Sequence, residues 1–106
     1  MMSKSLKLNK AIKLDNLVHH LHQLGMSIEV RVEQTGKLTS LLVEKYFMRN
    51  SNVSCCSISI YSHSHVEHDV IVMSGGSAQG AFLKLSWGSD TEFLNDVCYV
   101  LEAYSE

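Results

Sequence analysis

The run Val70-Ile71-Val72-Met73-Ser74, then Gly75-Gly76-Ser77-Ala78-Gln79-Gly80, then Ala81-Phe82-Leu83-Lys84-Leu85-Ser86-Trp87-Gly88, sets two short apolar stretches around a glycine-rich hexapeptide. Short apolar runs punctuated by glycine read as two strands joined by a turn. A phosphate-binding P-loop is excluded, because the glycines lead into a strand pattern rather than a helix and no Lys-Ser/Thr pair follows them. On this reading 66–73 is a fourth strand and 81–87 a fifth, with Ala81, Leu83, Leu85 and Trp87 on one face.

Toward the N-terminus the period of two continues. Val53 to Tyr61 sets Cys56, Ile58 and Ile60 against Cys55, Ser57, Ser59 and Tyr61, and Ile28, Val30 and Val32 alternate with Glu29, Arg31 and Glu33 across 27–33. Between them Leu38 to Arg49 carries apolar residues of both parities, the pattern of a central strand. Turn chemistry separates these pieces at Gln34–Lys37, Asn50–Asn52 and Ser62–His65. Leu14, Leu17, Val18, Leu21 and Leu24 follow the spacing of one helical face, with a start as early as Asn9 and Gly25 as the stop. Ser5 to Leu8 alternates too briefly to assign. After Gly88, Ser89-Asp90-Thr91-Glu92 fits a capping box opening a second helix, with Phe93, Val97, Val100, Leu101 and Tyr104 along one side.

The order is therefore α-β-β-β-β-β-α. It describes an α+β domain over 1–106, a five-stranded antiparallel meander sheet with an N-terminal and a C-terminal helix packed on one face. Its second sheet face would carry Leu42, Tyr46, Met48, Cys55, Tyr61, Ile71, Met73 and Phe82. That is more apolar surface than a monomer usually leaves in water, so self-association through this face, or a ligand lying on it, is expected.

Composition narrows the partners. With 106 residues there is room for one core, and 45% apolar with 19% charged residues is the balance of an ordinary folded domain. A net charge of −2 removes the electrostatic basis for general nucleic-acid binding. No apolar run approaches the roughly 20 residues that cross a bilayer, and the basic N-terminus lacks the apolar core of a secretory signal. Cytoplasmic residence follows as the expectation, with Cys55, Cys56 and Cys98 as reduced core thiols.

Glu44-Lys45-Tyr46-Phe47-Met48-Arg49, the Gly-Gly-x-x-x-Gly turn and the stretch Phe82 to Trp87-Gly88 together resemble a family of small bacterial proteins known only as a domain of unknown function. The resemblance spans about the C-terminal two thirds and rests on a pattern of the type E-K-Y-[YF]-M-R, a serine-rich strand, G-G-G-Q-G and D-W-G. It implies the same fold class and no activity. Ser77 and Ala78 lengthen the glycine turn relative to that pattern, Leu85-Ser86 stands where an acidic residue would precede Trp87, and the histidine-rich turn lies outside it.

A meander sets which turns share an end of the sheet. Arg49 and the glycine turn would lie on one rim, ~10–15 Å apart at ordinary strand spacing, close enough for a small anion to bridge them. The candidate ligand-binding set is Lys45, Arg49, Gly75, Gly76, Gln79 and Gly80. His63, His65 and His68 have imidazoles suited to Zn, Ni or Cu, yet they sit in one polar turn with no convergent second pair, so no metal is expected there. His19, His20 and His22 should lie at the other end of the sheet. No nucleophile–base arrangement stands out and no cofactor is implied. The leading expectation is a cytoplasmic binding or interaction domain, a homo-oligomer. The alternative is a protein or enzyme that takes a small anionic or phosphate ligand at the Gly75–Gly80 turn and Arg49.

Overall fold

The computed structural model describes residues 2–25, 28–47, 52–75 and 83–104; for Met2, Phe47, Asn52, Gly75 and 83–91 it describes the backbone element alone. Along the chain come β1 (Met2–Leu8), α1 (Leu14–His22), β2 (Ile28–Thr35), β3 (Leu38–Phe47), β4 (Asn52–Ser64), β5 (Glu67–Gly75) and α2 (Leu83–Glu102). The strands form one antiparallel sheet in the order β1-β5-β4-β3-β2. The expected class, an α+β five-stranded antiparallel sheet with one helix toward each end of the chain, is what the molecule has.

The fifth strand comes from elsewhere. It is β1, whose residues Met2 to Leu8 pair with Ser74 to His68 and occupy the free edge of β5. The order is thus β-α-β-β-β-β-α. Leu83 to Trp87, expected as a strand, lies in α2, and Ser89-Asp90-Thr91-Glu92, expected to open that helix, lies inside it. Ala81 and Phe82 fall outside the described residues. The physical reason is visible in residue types. Strands β2 to β5 are rich in Val and Ile, whereas from Leu83 to Asp96 the only β-branched residue is Thr91; β1 lacks them too and holds its place by the seven pairs it makes with β5. Leu and Lys lose little rotamer freedom in a helix, and apolar residues of both parities do not by themselves distinguish helix from strand.

Both helices pack on the same face. Inward-pointing rows run Leu6–Val70–Ile60, then Val72–Ile58–Leu41–Val32, then Cys56–Val43–Val30, read across the ladders. Onto them close Leu17 and Leu21 from α1 and Phe93, Leu94, Val97, Cys98 and Leu101 from α2, all buried. Each such aliphatic side chain contributes about 1.5–3 kcal/mol of burial, against the chain entropy lost on ordering it. Helix α1 starts at Leu14, later than Asn9, from an extended Lys13 with no side-chain cap, so packing rather than capping holds it.

Two turns set the register. The β2–β3 loop is Gly36-Lys37, with Gly36 at φ 58, the positive value that a two-residue hairpin of the primed type needs and that glycine adopts without strain. The β4–β5 turn is at His65-Val66, shorter than the expected Ser62–His65, because a bulge between Ser62 and Ser64 lets the strands pair further. Among the described residues no helix is long and apolar enough to cross a membrane.

Candidate functional site: the open sheet face and its rims

Alternation fixes the second face residue by residue. Across β1, β5, β4, β3 and β2 one row reads Ser3, Met73, Ser57, Leu42, Arg31, and the next Ser5, Ile71, Ser59, Ser40, Glu33. A third reads Lys7, Asp69, Tyr61, Leu38, Thr35, and beyond the other end lie Cys55–Glu44–Glu29 and Val53–Tyr46. Among the described residues no helix covers this side. Leu38, Leu42, Tyr46, Val53, Tyr61, Ile71 and Met73 are each 39–49% exposed, large apolar side chains concentrated on the three inner strands. Met48 and Phe82, expected on this face, lie outside the described residues, whereas Leu38 and Val53 add to it. Charges gather on the edge strands, as Lys7 on β1 and Glu29, Arg31 and Glu33 on β2; Glu44 on β3 and Asp69 on β5 are exceptions on inner strands. The face thus has an apolar middle with interspersed hydroxyls and a largely charged margin.

The rim at Leu38 and Tyr61 holds the histidine turn. His63 donates from Nε2 to Asp69 Oδ2 at 2.6 Å, and Lys7 Nζ lies 3.5 Å from Asp69 Oδ1. The Asp69 carboxyl is held below its ordinary value, first by the hydrogen bond from His63, with the charge on Lys7 helping against partial desolvation. Tyr61 meets the His63 ring edge-on at 4.9 Å. Lys7, Asn9, His63, Glu67 and Asp69 line a cleft of about 330 Å³ with His68 at its floor.

His68 itself points inward and is 5% exposed. A main-chain carbonyl can only accept, so its Nε2 donates to Lys10 O at 3.1 Å, and its Nδ1 accepts a hydrogen bond from the Ser62 hydroxyl at 2.7 Å. The pair superficially suggests a nucleophile and base. With the ring buried and its far nitrogen held by a carbonyl instead of a carboxylate, it holds a connector in place. Sequence reasoning placed His68 in a polar loop; its shared parity with Val70 and Val72 was the signal that it faces the core. His65 is exposed, and among the described residues no three His, Cys, Asp or Glu side chains converge on a cation site.

At the opposite rim, Lys45 is on the helix-covered face. Its Nζ donates to Leu24 O at 3.2 Å and lies 5.9 Å from the centroid of Phe93. This contact places the end of α1, with its histidines, away from the His63–His68 turn. A Cβ on Gly25 would come 3.1 Å from Lys45 Cε, a tight approach that the lysine stem would have to relieve by shifting. Gly75 ends β5 opposite Cys55. Arg49, Gly76, Gln79 and Gly80 lie outside the described residues.

Between the helices a groove of about 490 Å³ is lined by Leu24, Tyr99, Val100 and Ala103, with His20, Gln23 and Glu102 at its margin. It offers apolar wall and no reacting pair.

A family model described as a family of unknown function (DUF6054) matches residues 3–105. No curated protein and no solved structure matches the chain.

Proposed function

The chain belongs to DUF6054, a family with no assigned function, and we propose on physical grounds that it is a non-enzymatic interaction domain that self-associates through its open sheet face. The observation that carries this is the set of seven large apolar side chains on that face, each two-fifths to one-half exposed. Monomers rarely leave contiguous apolar patches beyond a few hundred Å² in water.

A second copy is the occupant that suits the dimensions. Five strands about 4.8 Å apart, sharing a length of about seven residues at about 3.4 Å each, present roughly 550 Å² in projection. Side-chain relief raises the accessible area toward the ~800 Å² per partner of a standard interface. Two such faces stack as two sheets of a sandwich do, about 10 Å apart. The three free cysteines support a reducing, cytoplasmic setting for this assembly.

The anion-binding reading draws on Lys45, whose ammonium is engaged with the Leu24 carbonyl, and on Gly75, the last residue of β5. Self-association is the better-supported conclusion. Analytical ultracentrifugation over a hundredfold concentration range tests it. The wild type should pass from monomer to dimer, and the double variant Leu42→Glu, Ile71→Glu should stay monomeric with an unchanged circular dichroism spectrum. A wild type that remains monomeric throughout sinks the reading.

A further inference from the structure

We infer that the free edge of β2 is a docking site for an extended peptide, which joins the five-stranded sheet as a further strand and sets basic, acidic and basic residues against Glu29, Arg31 and Glu33. This goes beyond self-association through the open face, which leaves both edges of the sheet uncovered.

The ladder shows which groups β2 offers. The amide of Ser62 bonds to Lys37 O at 3.0 Å, so odd-numbered positions at the start of β3 turn their main-chain groups toward β4 and even-numbered ones toward β2. The hydrogen-bonded pairs of β2 with β3 are therefore Thr35–Leu38, Glu33–Ser40, Arg31–Leu42 and Glu29–Glu44. Ile28, Val30, Val32 and Gln34 turn their N–H and C=O groups outward. Among the described residues no main-chain group pairs with them there. An added strand takes its affinity from such groups and its specificity from the alternating side chains.

The two edges of the sheet differ. On β1, Lys4 pairs with the buried Val72 and so stands on the helix-covered side, where an inward charge obstructs an added strand. On β2 that side carries Ile28, Val30 and Val32, and the register with β3 runs from Ile28 to Thr35 without a bulge. The other side carries Glu29, Arg31 and Glu33, all exposed. Opposite an antiparallel partner these three fall at the non-hydrogen-bonded pairs, where facing side chains come closest, so opposite charges attract there and like charges repel. The alternation of sign thus excludes strands that lack the matching charges. A second copy aligned over the whole of β2 would set Arg31 against the partner's Arg31 and Glu29 against the partner's Glu33. Any antiparallel pairing of two copies would also bring two α1 helices, each packed on its own β2, together on one side. A single strand brings only its side chains.

The probe is the capped peptide Thr-Lys-Val-Glu-Val-Lys-Thr, titrated into dilute wild type while amide exchange is followed by NMR. Saturation should slow exchange at Val30 and Val32 and leave Arg31 and Glu33, already bonded to β3, unchanged. N-methylation of both peptide valines removes the donors aimed at β2 and should weaken binding roughly tenfold, whereas N-methylation of the peptide glutamate, whose amide points away, should not. The isomer Thr-Lys-Val-Lys-Val-Glu-Thr keeps composition and net charge but sets like charges against Arg31 and Glu29, and should also bind roughly tenfold more weakly. Arg31→Glu should lose the first peptide by a similar factor and prefer one with Lys-Val-Lys-Val-Lys at its centre. These readouts are the same whether or not the open face dimerises. A peptide that leaves Val30 and Val32 unprotected, or N-methyl variants that bind alike, overturns the proposal. So does protection of Val30 and Val32 that rises with protein concentration alone, since a second copy would then hold the edge.

Discussion

His68 of β5 donates from Nε2 to the carbonyl oxygen of Lys10 at 3.1 Å, tying the connector between β1 and α1 to the middle of the chain. The connector is held from its other side as well, since the amides of Asn9 and Lys10 both bond to Tyr104 O. Replacing His68 by Leu leaves the Lys10 carbonyl without its donor, at a cost of about 1–3 kcal/mol, or roughly 5–20 °C in Tm for a domain of this size. His65→Ala, at an exposed position two residues before β5, should change Tm within the scatter of surface substitutions. Thermal melts of the two variants side by side check this, and equal shifts would remove the structural role given to His68.

Lys45 and Gly25 should behave as one unit. Lys45→Met keeps the stem and loses the ammonium, with its bond to Leu24 O at the end of α1 and its place near the Phe93 ring. The expected loss is about 1–2 kcal/mol in urea unfolding. Gly25→Ala brings a Cβ to 3.1 Å from Lys45 Cε and should be destabilising in the wild type. In a Lys45→Ala background that penalty should shrink. A double-mutant cycle with no coupling energy would show that the two positions act independently.

The Asp69 carboxyl titrates below its ordinary value of 3.8, chiefly because His63 donates to it. A group whose folded value is depressed adds stability that is fully present above the unfolded value. That stability is lost as pH falls through the folded one. Asp69 therefore helps the folded state above about pH 4 and ceases to do so below it. In Asp69→Asn the acid limb of the stability curve should be shallower. Carboxyl chemical shifts followed by NMR should place the Asp69 midpoint under 3.8 in the wild type and nearer to it in His63→Ala.

Thiol labelling reads the face directly. Cys55 is half-buried on the open side, whereas Cys56 and Cys98 lie in the core, and burial pushes the Cys98 thiol up so that little thiolate forms. A thiol reagent should modify one cysteine per chain quickly in the native protein and all three after unfolding. Under the proposed assembly the fast site should slow as protein concentration rises. Rapid modification of two thiols at low concentration would contradict the burial of the core pair.

Much of the sheet was legible because its strands speak in a period of two. Ile28, Val30 and Val32 against Glu29, Arg31 and Glu33 announce both a strand and its buried side. The open face was legible for the same reason, from Leu42, Tyr46, Tyr61, Ile71 and Met73. The candidate rim was less so. Lys45 carries the same charge whether it reaches solvent or caps α1, and only the path of that helix decides between them.

What the sequence by itself determined was local: alternation in β2 to β5, the helical spacing of Leu14 to Leu24 and Phe93 to Leu101, and hence an α+β sheet with one apolar face too many. What only the tertiary structure decided was which segment fills the last place in the sheet. Met2 to Leu8 and Leu83 to Trp87 both carry enough apolar residues to compete for the edge of β5. That edge accepts a single strand, and the seven pairs that β1 makes there leave Leu83 to Trp87 to extend α2. Strand pairing is a contact between distant parts of the chain, so its outcome depends on which competitor reaches the edge with the matching register, and no window of sequence contains that comparison.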